Sequence, residues 1–148
     1  MTVKEMEADR LLPGSLFAQT GAMDILGQQE ALSKMINGFF AIYYTGVGGS
    51  GIGVIAIRDG VIVGADMTGG RYDGTYSENP GTGNFDAKIR MSYLPGTSLV
   101  TGALAGPQPL HLDMTTTLPV DLGSEKPLRL DTPTGPINVI FRKLREFP

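Results

Sequence analysis

From Gly38 onward the chain runs in short β-prone stretches separated by Gly, Pro, Asn and Asp, the punctuation of an antiparallel meander. The pattern predicts eight strands, at about Phe39 to Thr45, Gly51 to Arg58, Val61 to Asp66, Arg71 to Glu78, Asn84 to Leu94, Pro109 to Leu118, Pro127 to Asp131 and Ile137 to Leu144. Asp59-Gly60, between two apolar runs, is the sharpest local signal: both central positions of a type I′ turn take positive φ, so strands two and three form a hairpin. The links at Gly46 to Ser50, Thr68 to Gly70 and Asn79 to Gly83 are too short for a parallel crossover. Pro95 to Pro107 reads as a covering loop or, at Ser98 to Thr101, as a short extra strand.

The faces of these strands differ. Strand five alternates Phe85, Ala87, Ile89, Met91 and Tyr93 against Asp86, Lys88, Arg90 and Ser92, and strand six sets Leu110, Leu112, Met114, Thr116 and Leu118 against His111, Asp113, Thr115 and Thr117. One side of each therefore faces water. Strands one to three are apolar on both faces, in the runs Phe39 to Tyr44, Val54 to Ile57 and Val61 to Val63. Leaving such a wall wet is costly at about 25 cal/mol per Å², so a cover is expected, supplied by an N-terminal helix or a second subunit. Phe40, Ile42, Tyr44, Val54 and Ile62 are the candidate interface residues.

Residues 1–36 lack this alternation and read as an N-terminal extension to a barrel domain at 37–148. Asp24 can cap an amphipathic helix over about Ala22 to Ile36, carrying Ile25, Leu26, Leu32, Met35 and Ile36 on one side. Eight short antiparallel strands with sequential hairpins remove their edges by closing, which predicts a mainly β, up-and-down barrel of the calycin or lipocalin kind with an N-terminal helical extension. The interior of such a barrel is filled by side chains or holds one small ligand. Large inward residues favour a mostly filled one. Tyr72, Tyr76, Tyr93 and Met114 are the candidate ligand-lining residues.

Composition narrows the chemistry. The chain has 148 residues, 41% apolar and 18% charged, with a net charge of −3, so no electrostatic footprint for nucleic acid is present. Without Cys and with a single His, disulfides, thiolate chemistry and ordinary zinc sites are disfavoured, and neither cofactor nor metal is expected. The charged first ten residues and the lack of a long apolar run predict no signal peptide, no membrane segment and a cytoplasmic location.

The remaining motifs favour a non-enzyme, with no catalytic residues assigned. Gly46, Gly48 and Gly51 have the spacing of a dinucleotide-binding loop, yet a strand follows where a helix is required. Ser50 fails the nucleophile-elbow pattern. His111 and Asp113 share the outward face of strand six and read as a solvated pair, and Asp66 and Asp73, flanking a glycine turn where a cation could be drawn, match no calcium loop and read as turn residues. Gly74, between Tyr72 and Tyr76 on one face, reads as a barrel-corner kink, or as space for a ligand or a neighbouring chain.

Asn37-Gly38-Phe39, Gly51-Ile52-Gly53-Val54, the run Asp59 to Asp66, and Tyr72-Asp73-Gly74-Thr75-Tyr76 together resemble the Grl-type negative regulators of bacterial type III secretion, over about Asn37 to Glu78. The resemblance implies a lipocalin-like barrel that dimerises and sequesters a transcriptional activator by protein contact. The expectation is a homodimeric regulatory or binding protein, with a carrier of a small apolar ligand as the alternative.

Overall fold

The computed structural model describes residues 36–148. Eight antiparallel strands follow one another: β1 Gly38–Gly46, β2 Gly49–Arg58, β3 Val61–Asp66, β4 Arg71–Asn79, β5 Asn84–Tyr93, β6 Leu110–Leu118, β7 Leu128–Thr132 and β8 Gly135–Arg145. Their order in the sheet is β6-β5-β4-β3-β2-β1-β8-β7. The β1/β8 ladder closes the meander on itself, while β6 and β7 approach without pairing, so the barrel is nearly closed. The expected helix over Ala22 to Ile36 lies outside the described residues except for Ile36, which is fully buried.

The predicted hairpin forms as its turn chemistry requires: Asp59 and Gly60 have φ of 50° and 81°, and Arg58 pairs with Val61. That register fixes parity along β2 and β3, because a one-residue shift would exchange the two faces of the strand. Ile55, Ile57 and Ile62 are buried, and Ile52, Val54, Val61 and Val63 face outward. In β1, Phe40, Ile42 and Tyr44 are buried. Four of the five residues read from sequence as an outer interface, Phe40, Ile42, Tyr44 and Ile62, are therefore interior, and only Val54 faces out. Runs that are apolar on both sides carry no alternation from which parity could be read.

The two ends of the barrel are built differently. The end holding the β2/β3, β4/β5 and β6/β7 connections is stoppered by Ile36, Phe40, Phe85 and Leu122, all buried, with Phe40 edge-on to Phe141 and Tyr76 edge-on to Phe85 at centroid distances of 6.4 and 5.7 Å. At the other end, residues 94–109 cross the opening. They form a tight excursion with a Ser98/Leu104 bridge, so both readings of that stretch apply: it is a cover that contains a minimal strand pairing. Gly48 N–H donates to Val100 O at 2.6 Å, the Thr101 and Thr134 hydroxyls lie 2.9 Å apart, and the buried Leu99 points inward as a roof.

Gly74 pairs with Ile62 and Ile89 in the middle of the sheet. A Cβ there would lie 2.4 Å from the Lys88 carbonyl oxygen and 3.0 Å from Ile89 Cα. The missing side chain lets β5 approach β4, which is the corner-kink reading; the space is taken by backbone and not left for a ligand.

Candidate functional site

Beneath the roof lies a cavity of about 100 Å³. Its wall is largely apolar, with Ile42, Met91, Leu112, Met114 and Leu130 among the lining residues, and one group breaks the pattern. Asp66 ends β3 on the inward parity shared with Ile62 and Gly64, so its carboxylate enters the cavity wall where an apolar residue belongs. Three glycines make room: added Cβ atoms at Gly70, Gly53 and Gly51 would meet, respectively, the Asp66 carboxylate at 2.6 Å, Asp66 Cβ at 3.1 Å and the Tyr44 phenol at 2.5 Å.

Asp66 Oδ1 accepts from Thr68 N–H at 3.0 Å, Thr68 Oγ1 at 2.6 Å and Gly70 N–H at 2.9 Å, and Oδ2 accepts a short hydrogen bond from the Tyr72 hydroxyl. Burial pushes the Asp66 pKa up, but the hydrogen bonds from Thr68, Tyr72 and Gly70 together outweigh it and hold the carboxyl below its ordinary value. The surrounding phenols move the other way. Burial, then hydrogen bonding to and repulsion from Asp66, raises Tyr72; burial followed by the Asp66 charge raises Tyr44; the same two causes push Tyr93 up to about 12. At neutral pH the site is one carboxylate ringed by three protonated tyrosines.

Of the lining residues expected from sequence, Tyr72, Tyr93 and Met114 do line this cavity. Tyr76 does not: it is inward at the stoppered end, where its hydroxyl donates to Asn37 Oδ1 at 2.8 Å. Sequence reasoning weighed a cation at Asp66 before settling on its turn role, and placed neither Tyr44, which it read as interface, nor Thr68 and Leu99 at a cavity. The signal for Asp66 was available, since the Asp59-Gly60 hairpin places it two and four residues from Gly64 and Ile62, on the same face. Asp73 lies on the outer face of β4 and does not join Asp66.

The outer wall is the second feature. Val54, Val61, Val63 and Ile52 remain 55%, 46%, 45% and 42% exposed on adjacent strands. Cross-strand pairing sets Val54 beside Ala65 and Ala41, and Val63 beside Ala56, so the surface is continuous and uncharged. One corner is covered by the chain's own C-terminal residues: the Phe147 ring lies 4.3 Å from Phe39, with the Arg58 guanidinium 5.0 Å from it.

On the opposite wall, His111 Nδ1 sits 2.9 Å from Ser92 Oγ across the β5/β6 ladder, and Asp113 is held by Arg90 in a two-pronged ion pair at 2.8 and 2.9 Å. The fold thus brings a hydroxyl to the histidine that sequence alone had not paired with it. These groups stand on an exposed strand face, and Asp113 is engaged by Arg90 instead of orienting His111, so the arrangement lacks what activates a nucleophile. Among the described residues no three His, Asp or Glu side chains are grouped to hold a metal ion. No family model, curated protein or solved structure matches the chain.

Proposed function

We propose that the barrel is a non-catalytic binding protein that acts by protein contact, and that the outer wall of β1 to β3 is where a second copy of the chain docks. The observation that carries this reading is the continuous, uncharged surface around Val54, Val61, Val63 and Ile52. A two-fold axis through the wall sets this apolar strip against the same strip of a second copy, the self-complementary contact of a cyclic dimer. The Grl-type likeness supports the same reading, since it implies a dimerising barrel. Native mass spectrometry and sedimentation equilibrium test it: a dimer that the Val54→Asp variant loses is the expected result, and a strictly monomeric wild-type protein at high concentration overturns it.

A second reading, a carrier of a small ligand, is favoured by the roofed cavity with its single polar cluster.

A further inference from the structure

Asp66 is a negative charge set into an apolar cavity wall, and every group that hydrogen-bonds it is neutral. The ion pairs among the described residues, such as Arg90 with Asp113 and Arg142 with Glu125, lie elsewhere. The neutral donors keep the half-buried carboxylate ionised, and none of the described residues lining the cavity is cationic, so the cavity presents an unanswered negative charge. Oδ1 accepts three hydrogen bonds and Oδ2 one from the Tyr72 hydroxyl, with the Tyr44 hydroxyl also acting on the carboxylate, so the less crowded oxygen is Oδ2. Tyr44, Tyr72 and Tyr93 line the cavity with Asp66, and a phenol oxygen that donates to a carboxylate keeps lone pairs that an ammonium N–H can use.

We propose that the cavity binds a small ammonium ligand with a short apolar tail, its charge held at Asp66 among Tyr44, Tyr72 and Tyr93 and its tail lying toward Met91 and Met114. This rests on the carrier reading and gives it a ligand class. Size limits the ligand. A cavity of 150 Å³ is known to hold the six carbons of benzene, so about 100 Å³ holds roughly four non-hydrogen atoms and a five-atom ligand already presses on the roof at Leu99. Charge excludes the usual cargo of apolar barrels: a fatty-acid carboxylate would meet Asp66 as a like charge.

The test uses the full chain at pH 7 and three probes of similar size, n-butylammonium, 1-butanol and butyrate, followed by amide and tyrosine ring shifts in NMR titrations. Butylammonium is expected to bind at least 10-fold more tightly than butanol and to shift Gly70 and Tyr72, while butyrate gives no saturable shift. Asp66→Asn, which keeps an acceptor for the Thr68 and Gly70 amides, is expected to bring butylammonium down to the affinity of butanol. If butanol binds as well as butylammonium, or the variant binds both unchanged, the ammonium preference is overturned and the carrier reading stands. If no probe binds, both fall. Since the three-probe comparison is made on wild-type protein, the outcome does not hang on the variant folding.

Discussion

Gly74→Ala separates a structural glycine from a ligand-making one. The new Cβ would sit 2.4 Å from the Lys88 carbonyl oxygen, and an ordinary contact is about 3.5 Å, so β4 and β5 must part by about 1 Å. The obstacle is backbone within a ladder on either side, not the end of a flexible side chain that could swing away. Overpacking of this kind costs roughly 1–3 kcal/mol, and the loss of glycine's unfolded-state freedom returns about 0.4–1 kcal/mol, leaving a net destabilisation of about 1–2 kcal/mol. For a domain of this size that lowers Tm by about 4–8 °C. Gly106→Ala is the control, because nothing lies within 4 Å of the position its Cβ would take. Calorimetry on the two variants should show a lowered Tm for Gly74→Ala and an unchanged or slightly raised one for Gly106→Ala. Equal midpoints would refute the close-approach argument and revive the reading of Gly74 as room for a ligand.

Three further outcomes follow from the polar end of the barrel. The raised folded-state pKa values of Tyr44, Tyr72 and Tyr93 mean that their contribution to stability is intact below the unfolded tyrosine value near 10 and is lost as pH rises beyond it; phenolate absorbance at 295 nm should therefore appear for these residues together with loss of near-UV circular dichroism, and a full reversible titration with the fold intact would count against their burial. Asp66 has the opposite sign: its depressed folded value stabilises above the unfolded value near 4 and that contribution fades as pH falls through the folded value, so the urea midpoint of wild type should drop more steeply with acid than that of Asp66→Asn. Thr101→Val deletes the hydroxyl contact with Thr134, worth about 1 kcal/mol, and should speed hydrogen exchange at the Gly48 and Leu99 amides roughly five-fold while leaving the β4/β5 ladder unchanged.

Strand number, order of turns and the antiparallel meander were legible because Gly, Asn and Asp punctuate the chain and because β5 and β6 alternate cleanly. The side facing inward in β1 to β3 was not, since Phe39 to Tyr44 is apolar at every position. One residue could have settled it. Arg58 is charged and ends β2, so its parity must be outward; this puts Val54 out and Ile57 in, and the Asp59-Gly60 turn carries the assignment to Val63 and Ile62. The cover at residues 94–109 was legible only as a choice, because its hold on the barrel comes from Gly48 and Thr134, remote in sequence from Val100 and Thr101. Near-closure without β6/β7 pairing had no local signal.

Parity also identifies where this chain departs from the rule that its own fold imposes. Inward positions should be apolar, and Asp66 is not; outward positions should be polar, and Val54, Val61, Val63 and Ile52 are not. Neither departure is required by the packing of the core. Asp66 holds the β3/β4 turn through Thr68 and Gly70 but does so from the cavity side, where an apolar residue would serve the core, and outward valines add nothing to a core that Phe40, Ile57 and Ile62 already fill. Sequences that specify one fold consistently tend to break their rules where something outside the fold is recognised. Both departures meet on β3, where Asp66 closes the inner face and Val61 and Val63 present the outer one. The two readings therefore share a strand. Val63 lies on β3 three residues from the carboxylate, so Val63→Asp tests whether they share more: loss of the dimer with butylammonium affinity unchanged would make the surfaces independent, whereas loss of both would couple the wall to the cavity through that strand.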